Sequence, residues 1–347
     1  MIRGSRPRHH MSATATDPEV LVLSGSWHKT KSELSFVTRV VAGAASRTGI
    51  VNVVTPIPAD ATEADGAFDV RGIGQSPDGD WPTAGAARWT RRPSLGATWI
   101  LDEPTDRARE LLAVGATQPI AYSIAPLADT HAAVALPTLP LIPDSTHSSH
   151  VLGVHVPINP LAGEHRHGGL GMTGYILVLT DRSANPAVAP PTDGVAWLTS
   201  RFHDQYVIVV EGGRAAVWRG RALRGVVEVD TRTDLWRLMA HAHITVDLAP
   251  GDIIARECIE SLRFGTPVVA PVGTTGAAHA QAGGGVTFTD APGLLDAVEQ
   301  LLDSTERARC AGRGQQYAEA LYGDPAAFVA KIARALWPPV PSGQVAH

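Results

Sequence analysis

A chain of 347 residues is long enough for two ordinary domains, and its 44% hydrophobic and 18% charged residues are typical of a globular protein with a large core. Its 34 acidic residues outnumber its 29 lysines and arginines, and the net charge of −5 argues against a nucleic-acid partner, which favours a basic domain. No apolar run approaches the length of a membrane span, and two cysteines suggest neither a disulfide framework nor a zinc site, so we expect a cytoplasmic protein.

Residues 1–17 are expected to form a disordered lead-in. The first ten residues are basic but lack the apolar segment of a secretory signal. A weak peripheral contact with anionic lipid heads at a membrane is the alternative interpretation of this segment.

A first α/β domain is predicted over residues 18–158. A strand at 19–24, a helix that starts with the capping-box spacing of Thr30 and Glu33, and a strand at 50–55 form a βαβ unit, which predicts a parallel sheet. The prolines of residues 136–143 argue against a central strand there, and residues 59–95 stay unassigned. The remaining expected elements are a helix over 106–113 and strands at 98–101, 120–123 and 151–156.

The second half begins after a glycine-rich linker, residues 159–174. Strands and helices alternate through residues 175–323, which predicts a doubly wound sheet, and residues 324–347 add a terminal helix and a tail. The expected strands lie at 175–180, 206–210, 226–229, 244–248, 267–270 and 286–288, and the expected helices at 195–202, 234–242, 253–264, 294–302, 305–321 and 326–337.

The most informative stretch of the chain is residues 251–269. Gly251 and Asp252 follow a predicted buried strand and open a helix, and the turn Gly265-Thr266-Pro267 leads from that helix into the next strand. A helix that starts beyond the carboxyl end of a strand presents unpaired N–H groups and a partial positive charge. In a doubly wound sheet, phosphates bind at such a place.

This stretch resembles the retaining glycosyltransferases of family four, also called glycosyl transferases group one. Their motif has two glutamates with seven residues between them, followed by a small or apolar stretch and Gly-Thr-Pro-Val-Val. Here Asp252 stands in place of the first glutamate, Glu260 is the second, and residues 265–269 form the turn and the start of the strand. The resemblance implies an α/β fold of the GT-B type, with two facing Rossmann-like doubly wound domains and a cleft between them. The first domain would bind the acceptor, the second the nucleotide sugar, and the terminal helix would return to the first domain.

The resemblance also implies roles for single residues. Glu260, on the open face of the cleft, would hydrogen-bond the ribose hydroxyls of the donor. Asp252 would face the donor sugar or its diphosphate, and Arg182, after the strand at 175–180, would contact the diphosphate; these two form the expected catalytic pair. The remaining donor-binding residues would be Gly212, Gly213, Gly251 and Thr266.

The chain departs from the family's pattern in its first glycine loop, where residues 24–31 replace the usual double-glycine loop that approaches the donor phosphates, and at two single positions. The lysine that the family places a few residues after the arginine is absent, since residues 183–186 are Ser-Ala-Asn-Pro. A guanidinium of the segment 214–224 is one candidate substitute, and a solvated basic loop is the other interpretation of that segment. The family's histidine in the first domain is also absent, because residues 122–126 are Tyr-Ser-Ile-Ala-Pro.

The expected function is therefore transfer of a hexosyl or similar sugar from a nucleoside diphosphate donor to an unidentified acceptor, with retention. The acceptor would be a glycan, a lipid-linked molecule or a small molecule, and no cofactor besides the nucleotide sugar is expected. No metal site is expected either, because the histidines at 147, 150, 155, 165 and 167 lack the helical spacing of a zinc site. The missing lysine and histidine favour the alternative, a non-catalytic glycosyltransferase-like subunit that binds a nucleotide sugar or scaffolds a partner. A nucleotide-sugar epimerase has less support.

Overall fold

The protein is described from a computed structural model. It describes residues 19–28, 33–56, 62–65, 68–75, 81–82, 86–87, 98–102, 107–108, 110–111, 121–123, 125–126, 134–139, 151–154, 156–158, 174–180, 192–229, 231–249 and 254–337. Among these residues, no helix is both long enough and apolar enough to cross a bilayer.

The first half of the chain forms one sheet around a parallel centre. Its strands follow the order β3-β4-β2-β1-β5-β6-β8-β7, with β9 paired to β8, and β1 pairs in parallel with both β2 and β5. The apolar side chains of β1 are buried on both faces of the sheet, as expected for a central parallel strand. The strands are β1 (Glu19–Leu23), β2 (Ile50–Thr55), β3 (Thr62–Asp65), β4 (Phe68–Gly72), β5 (Thr98–Leu101), β6 (Ala121–Ser123), β7 (Ala125–Pro126), β8 (Val134–Leu139) and β9 (Val151–Val154).

Strand β8 contradicts the expectation that the prolines of residues 136–143 exclude a central strand there, and it contains the first of them, Pro137. Its two ends pair on one side with different strands: residues 134–135 with β7 and residues 138–139 with β6. Pro137 lies between these two pairings and meets only β9, on the other side. Proline has no backbone N–H to donate, and Pro137 lies where β8 has, among the described strands, no hydrogen-bonded partner on the side of β6 and β7.

The second half forms a seven-stranded sheet in the order β13-β12-β11-β10-β14-β15-β16. Strands β10, β11, β14, β15 and β16 are parallel, and their apolar runs are covered on both faces, by α2 and α6 on one side and by α3 on the other. The strands are β10 (Tyr175–Leu179), β11 (Tyr206–Glu211), β12 (Arg214–Arg219), β13 (Ala222–Glu228), β14 (Ala242–Asp247), β15 (Val268–Pro271) and β16 (Gly285–Phe288); the helices named here are α2 (Thr192–Arg201), α3 (Arg232–His241) and α6 (Ala291–Leu302).

The outer edge of this sheet contains residues 214–224, for which a solvated basic loop is one of the two interpretations from the sequence. Residues 214–228 form the antiparallel hairpin β12–β13, which extends β11. Gly212 and Gly213 connect β11 to β12 with φ of 56° and 85°, so this is a two-residue turn with both central residues left-handed. The four arginines at 214, 219, 221 and 224 lie on this hairpin, and Arg214 pairs with Glu228 across it.

A shared core joins the two halves of the chain. Helix α1 (Glu33–Ala45) covers the first sheet, and helices α4 (Arg256–Arg263), α7 (Ser304–Tyr322) and α8 (Pro325–Leu336) follow in the second half. Buried apolar side chains of all four helices belong to one continuous cluster. The terminal helix α8 packs against α1 and β9 of the first half, where its stripe of Phe328, Ile332 and Leu336 is buried.

Candidate functional site

Both sheets reverse their strand order at one point, and this locates the candidate site. In the second sheet the chain builds β11 on one side of β10 and β14 on the other, and in the first sheet β2 and β5 flank β1 in the same way. In doubly wound folds, ligands bind outside the carboxyl ends of the strands at such a reversal. Of the predicted site residues, Arg182 follows β10 in the chain, Gly251 and Asp252 follow β14, and all three lie outside the described residues.

Helix α4 starts at this edge of the second sheet. It begins at Arg256, not near residue 253 as the sequence predicts, because Ala255 has a left-handed φ of 45°. In the described part of the chain, Ala255 is the only non-glycine residue with a positive φ. Ala255 is the N-cap residue, and its methyl side chain cannot accept a hydrogen bond from the first backbone N–H groups of the helix.

Glu33 of α1 binds one N–H group of the helix, that of Arg256, and the N–H group of Ile254 just before the N-cap. The backbone N–H groups of Ile254 and Arg256 donate to the two oxygens of its carboxylate, with N···O distances of 2.9 and 2.6 Å. An anionic side chain from the first half of the chain thus occupies the helix end at which the sequence predicts the donor. The local spacing of Thr30 and Glu33 suggested a capping box within α1, and Thr30 lies outside the described residues.

Glu260 lies one helical turn further along α4, and its side chain is 0% exposed. Arg232 donates to both of its oxygens, from Nε to Oε1 at 3.1 Å and from Nη2 to Oε2. Arg256 donates to Oε1 from Nε at 2.8 Å. The carboxylate is therefore buried between two guanidinium groups, not on an open face as expected, and its contact with a ribose stays a prediction.

The two arginines differ in their electrostatic surroundings. Burial opposes the charge of Arg232, but Glu257 and Glu260 raise its pKa above the ordinary value. Burial lowers the pKa of Arg256, where the attraction of Glu260 is offset in part by the repulsion of Arg232. The guanidinium of Arg256 also lies over the ring of Phe36 in α1, with Cζ 3.7 Å from the ring centre. Arg256 therefore contacts both halves of the chain.

The carboxylate of Asp102 binds the loop after β1. Asp102, at the carboxyl end of β5, is buried and accepts the backbone N–H groups of Gly25 at 2.9 Å and Ser26 at 3.3 Å. The hydroxyls of Ser24 and Ser26 donate to it as well. The resemblance places this loop near the donor phosphates, and that placement stays a prediction. Its amides point to a protein carboxylate.

Buried polar side chains fix the segment around the start of α4. His279 is fully buried, with Nε2 2.8 Å from the carbonyl oxygen of Ile254 and Nδ1 2.8 Å from the hydroxyl of Tyr317. A carbonyl only accepts, so Nε2 carries the proton and Nδ1 accepts from Tyr317. Asp247, at the end of β14, accepts from the backbone of Ala249 and from the thiol of Cys258. These contacts join the start of α4 to β14 and α7.

The other predicted donor-binding residues lie further out. The hydroxyl of Thr266 is buried and donates to the carbonyl of Met239 at 2.7 Å, so it joins the turn after α4 to the end of α3. Gly212 and Gly213 form the hairpin turn at the carboxyl end of β11. Their roles in donor binding stay predictions. The histidines proposed and rejected as metal ligands lie outside the described residues, and within those residues no cluster of His, Cys, Asp or Glu could hold a metal ion.

Sequence reasoning missed several residues that shape the site, among them Arg232, Arg256, Asp102 and Asp247. Asp102 directly follows the buried parallel strand β5 and Asp247 is the last residue of β14, and these positions were visible in the sequence. Arg232 carries no such signal. It opens α3, which brings it to Glu260 only because α3 and α4 pack together.

No protein-family model matches the chain, and no curated protein matches it. Solved structures do match. WaaG, a glycosyltransferase involved in lipopolysaccharide biosynthesis, is 12% identical with a TM-score of 0.52, covering 90% of this chain and 99% of WaaG. AviGT4, a glycosyltransferase involved in avilamycin A biosynthesis, is 12% identical with a TM-score of 0.51, covering 92% and 98%. The N-terminal domain of Candida albicans trehalose-6-phosphate phosphatase is 9% identical with a TM-score of 0.57, covering 92% and 98%.

This similarity shows the fold. The chain has the α/β architecture of the GT-B type, with two Rossmann-like domains, and the prediction of this fold from the sequence is confirmed.

Proposed function

We propose that the protein is a retaining glycosyltransferase of the family-four type, which moves a hexosyl or similar sugar from a nucleoside diphosphate to an acceptor. The observation that most supports this proposal is the cluster of Arg232, Arg256 and Glu260 at the start of α4. The cluster lies at the strand reversal of the second sheet and contacts the first domain through Phe36. Two glycosyltransferases, WaaG and AviGT4, have a similar fold.

The chemistry needs cationic groups and N–H groups at this place. When the bond between the anomeric carbon and the diphosphate breaks, negative charge develops on the leaving diphosphate, and fixed dipoles and cations that stabilise it supply the largest catalytic contribution. The first N–H groups of α4, the guanidinium of Arg256 and, as proposed, Arg182 would meet that charge. Asp252 would face the sugar, and Glu260 the ribose once its arginine partners release it. The acceptor would bind the first domain.

A non-catalytic subunit is the second candidate, and the two carboxylates favour it. Glu33 occupies the N–H groups of α4, and Asp102 occupies those of the loop after β1. A protein that only scaffolds a partner has no need of empty phosphate sites. In that case Glu33 would serve permanently to hold the two domains together, and Asp102 would hold the loop after β1 within the first domain.

A donor panel distinguishes the two candidates. Nucleoside diphosphate sugars that differ in base and sugar are screened first for a rise in melting temperature, because a ligand that binds only the native state stabilises it. Release of free nucleoside diphosphate is then measured for each binder. Slow hydrolysis or transfer supports the enzyme, and binding without release supports the subunit. If no nucleotide sugar binds, the enzyme proposal is wrong, and only a subunit that scaffolds a partner without binding a donor remains.

Arg182→Ala tests the donor placement. Loss of a charge-assisted phosphate contact should weaken nucleoside diphosphate binding roughly tenfold to hundredfold without a change in melting temperature. Arg201→Ala removes an exposed arginine of the same domain and serves as the control. Equal affinities of the two variants would show that Arg182 is not a phosphate ligand.

A further inference from the structure

Glu33 stands out because its carboxylate serves a helix of the other domain. It lies in the first turn of α1, yet both of its oxygens bind backbone N–H groups at the start of α4, and Ile254 is 221 residues further along the chain. The contact is bidentate and its distances, 2.9 and 2.6 Å, are those of charge-assisted hydrogen bonds. Helix α4 has no cap from its own N-cap side chain. Glu33 therefore acts as the N-terminal cap of α4.

Arg256 extends the same contact. Its backbone N–H binds Glu33, and its guanidinium binds Glu260 and lies over Phe36. Two of these three partners, Glu33 and Phe36, belong to α1. The start of α4 is thus fastened to the first domain by one hydrogen-bonded carboxylate and one stacked guanidinium, which close the domains on each other at the strand reversal.

A carboxylate and a phosphate compete for such a position. Each presents two oxygens on one central atom to a pair of N–H groups, and each gains from the partial positive charge of a helix start. The two cannot accept the same N–H groups at once. A phosphate oxygen can bind there only after the Glu33 contact has broken. The free energy that this contact contributes is then lost.

We propose that Glu33 is an internal competitor of the donor diphosphate. Its carboxylate fills the start of α4 in the empty protein and must leave for the donor to bind, so Glu33 sets the donor affinity and holds the cleft closed until the donor arrives. This inference rests on the proposed function, because it takes the diphosphate as the ligand. The apparent affinity is the intrinsic affinity reduced by the fraction of molecules in which Glu33 has left.

The test is a gain of affinity on loss of a contact. Glu33→Gln keeps the size of the side chain but removes its charge, and one of its two polar groups can no longer accept an N–H. Binding of inorganic pyrophosphate and of adenosine, guanosine, uridine and thymidine diphosphates is measured by calorimetry. We expect binding of pyrophosphate and of the preferred nucleotide to tighten roughly tenfold or more, matching hydrogen bonds to a charged group. The melting temperature without ligand should fall, because α4 loses its cap.

Two further variants make the result specific. Glu110→Gln removes the same charge from an exposed position of the first domain and should bind every probe as the parent does. Glu33→Asp keeps the charge but shortens the reach by one methylene, so it should tighten binding too, and it serves if Glu33→Gln does not fold. A purely structural role for Glu33 predicts the opposite sign: a damaged site binds more weakly.

Each outcome separates the inference from the function on which it rests. If a nucleoside diphosphate binds parent and Glu33 variants equally, Glu33 is not a competitor and the proposed function stands. If the variants gain affinity for pyrophosphate but no nucleoside diphosphate binds, Glu33 blocks an anion site and the proposed function is wrong. If no probe binds any of the proteins, both are wrong.

Discussion

Replacement of Glu260 by glutamine should destabilise the protein strongly. The carboxylate is 0% exposed and both of its oxygens accept hydrogen bonds from guanidinium groups, of Arg232 and Arg256. A glutamine keeps the size and one acceptor, but its amide N–H₂ faces a guanidinium with no acceptor to offer. The variant also leaves two arginine charges close together, with the carboxylate of Glu257 as the remaining neighbour of Arg232.

The magnitude follows from the burial of the three side chains. Breaking a buried ion pair on one side costs about 3–5 kcal/mol. Here the carboxylate is fully buried, but the side chains of Arg232 and Arg256 are 28% and 21% exposed, so water relieves part of their loss. The lower end applies, and a loss of about 3 kcal/mol lowers the melting temperature of a domain of this size by roughly 6–12 °C.

The assay is a thermal melt of the parent, Glu260→Gln and Glu299→Gln. Glu299 forms a surface ion pair with Arg201, and the two side chains are 57% and 56% exposed. Loss of this exposed pair should cost less than about 1 kcal/mol. If Glu260→Gln melts within about 2 °C of the Glu299 variant, the argument from a buried pair is refuted. The ribose role is measured separately: ribonucleotides and 2′,3′-dideoxynucleotides should lose affinity for Glu260→Gln to different extents, and equal ratios would exclude that role.

Two further predictions concern stability alone. Gly312→Ala should stabilise α7 by about 0.5–1 kcal/mol, because nothing lies within 4 Å of the added methyl. Gly314→Ala should destabilise it by about 1–3 kcal/mol, because the methyl would lie 2.7 Å from Cδ2 of Leu262. Urea midpoints that shift in the same direction for both variants would contradict this prediction. Burial, and to a lesser extent Arg307, lowers the pKa of His243, so the unfolded chain takes up a proton that the native protein refuses, and the free energy of unfolding should fall as the pH drops below about 6.5. His243→Gln should lose part of that decrease between about pH 7 and pH 5, and an unchanged pH profile would show that another group is responsible.

The sequence by itself determined the fold class. The strands at 50–55 and 98–101 coincide with β2 and β5, and the alternation of the second half reproduces its parallel strands and the helices between them. These elements depend on local periodicity, on caps such as Asp290 and Asp324, and on apolar runs that only a sheet covered on both faces can bury. Of the hairpin β12–β13, the sequence predicts only the strand at 226–229, which overlaps the end of β13. The rest escaped prediction because β13 is exposed along its whole length and β12, although Ala215 and Val217 are buried, is short and begins and ends with arginine.

The location of the candidate site was also visible in the sequence, since Gly251, Asp252 and the turn after Phe264 mark a helix between two buried strands. The sequence did not show which groups pair with the charged side chains of the site. Glu260 lies 28 residues from Arg232, Asp102 lies 77 residues from Gly25, and Glu33 lies 221 residues from Ile254. Each carboxylate has several local partners available in the unfolded chain, and the packing of α1, α3 and α4 selects one set among them. Only the tertiary structure decides which backbone N–H groups remain for a ligand, because a charged side chain is committed by its neighbours in space and not by those in sequence.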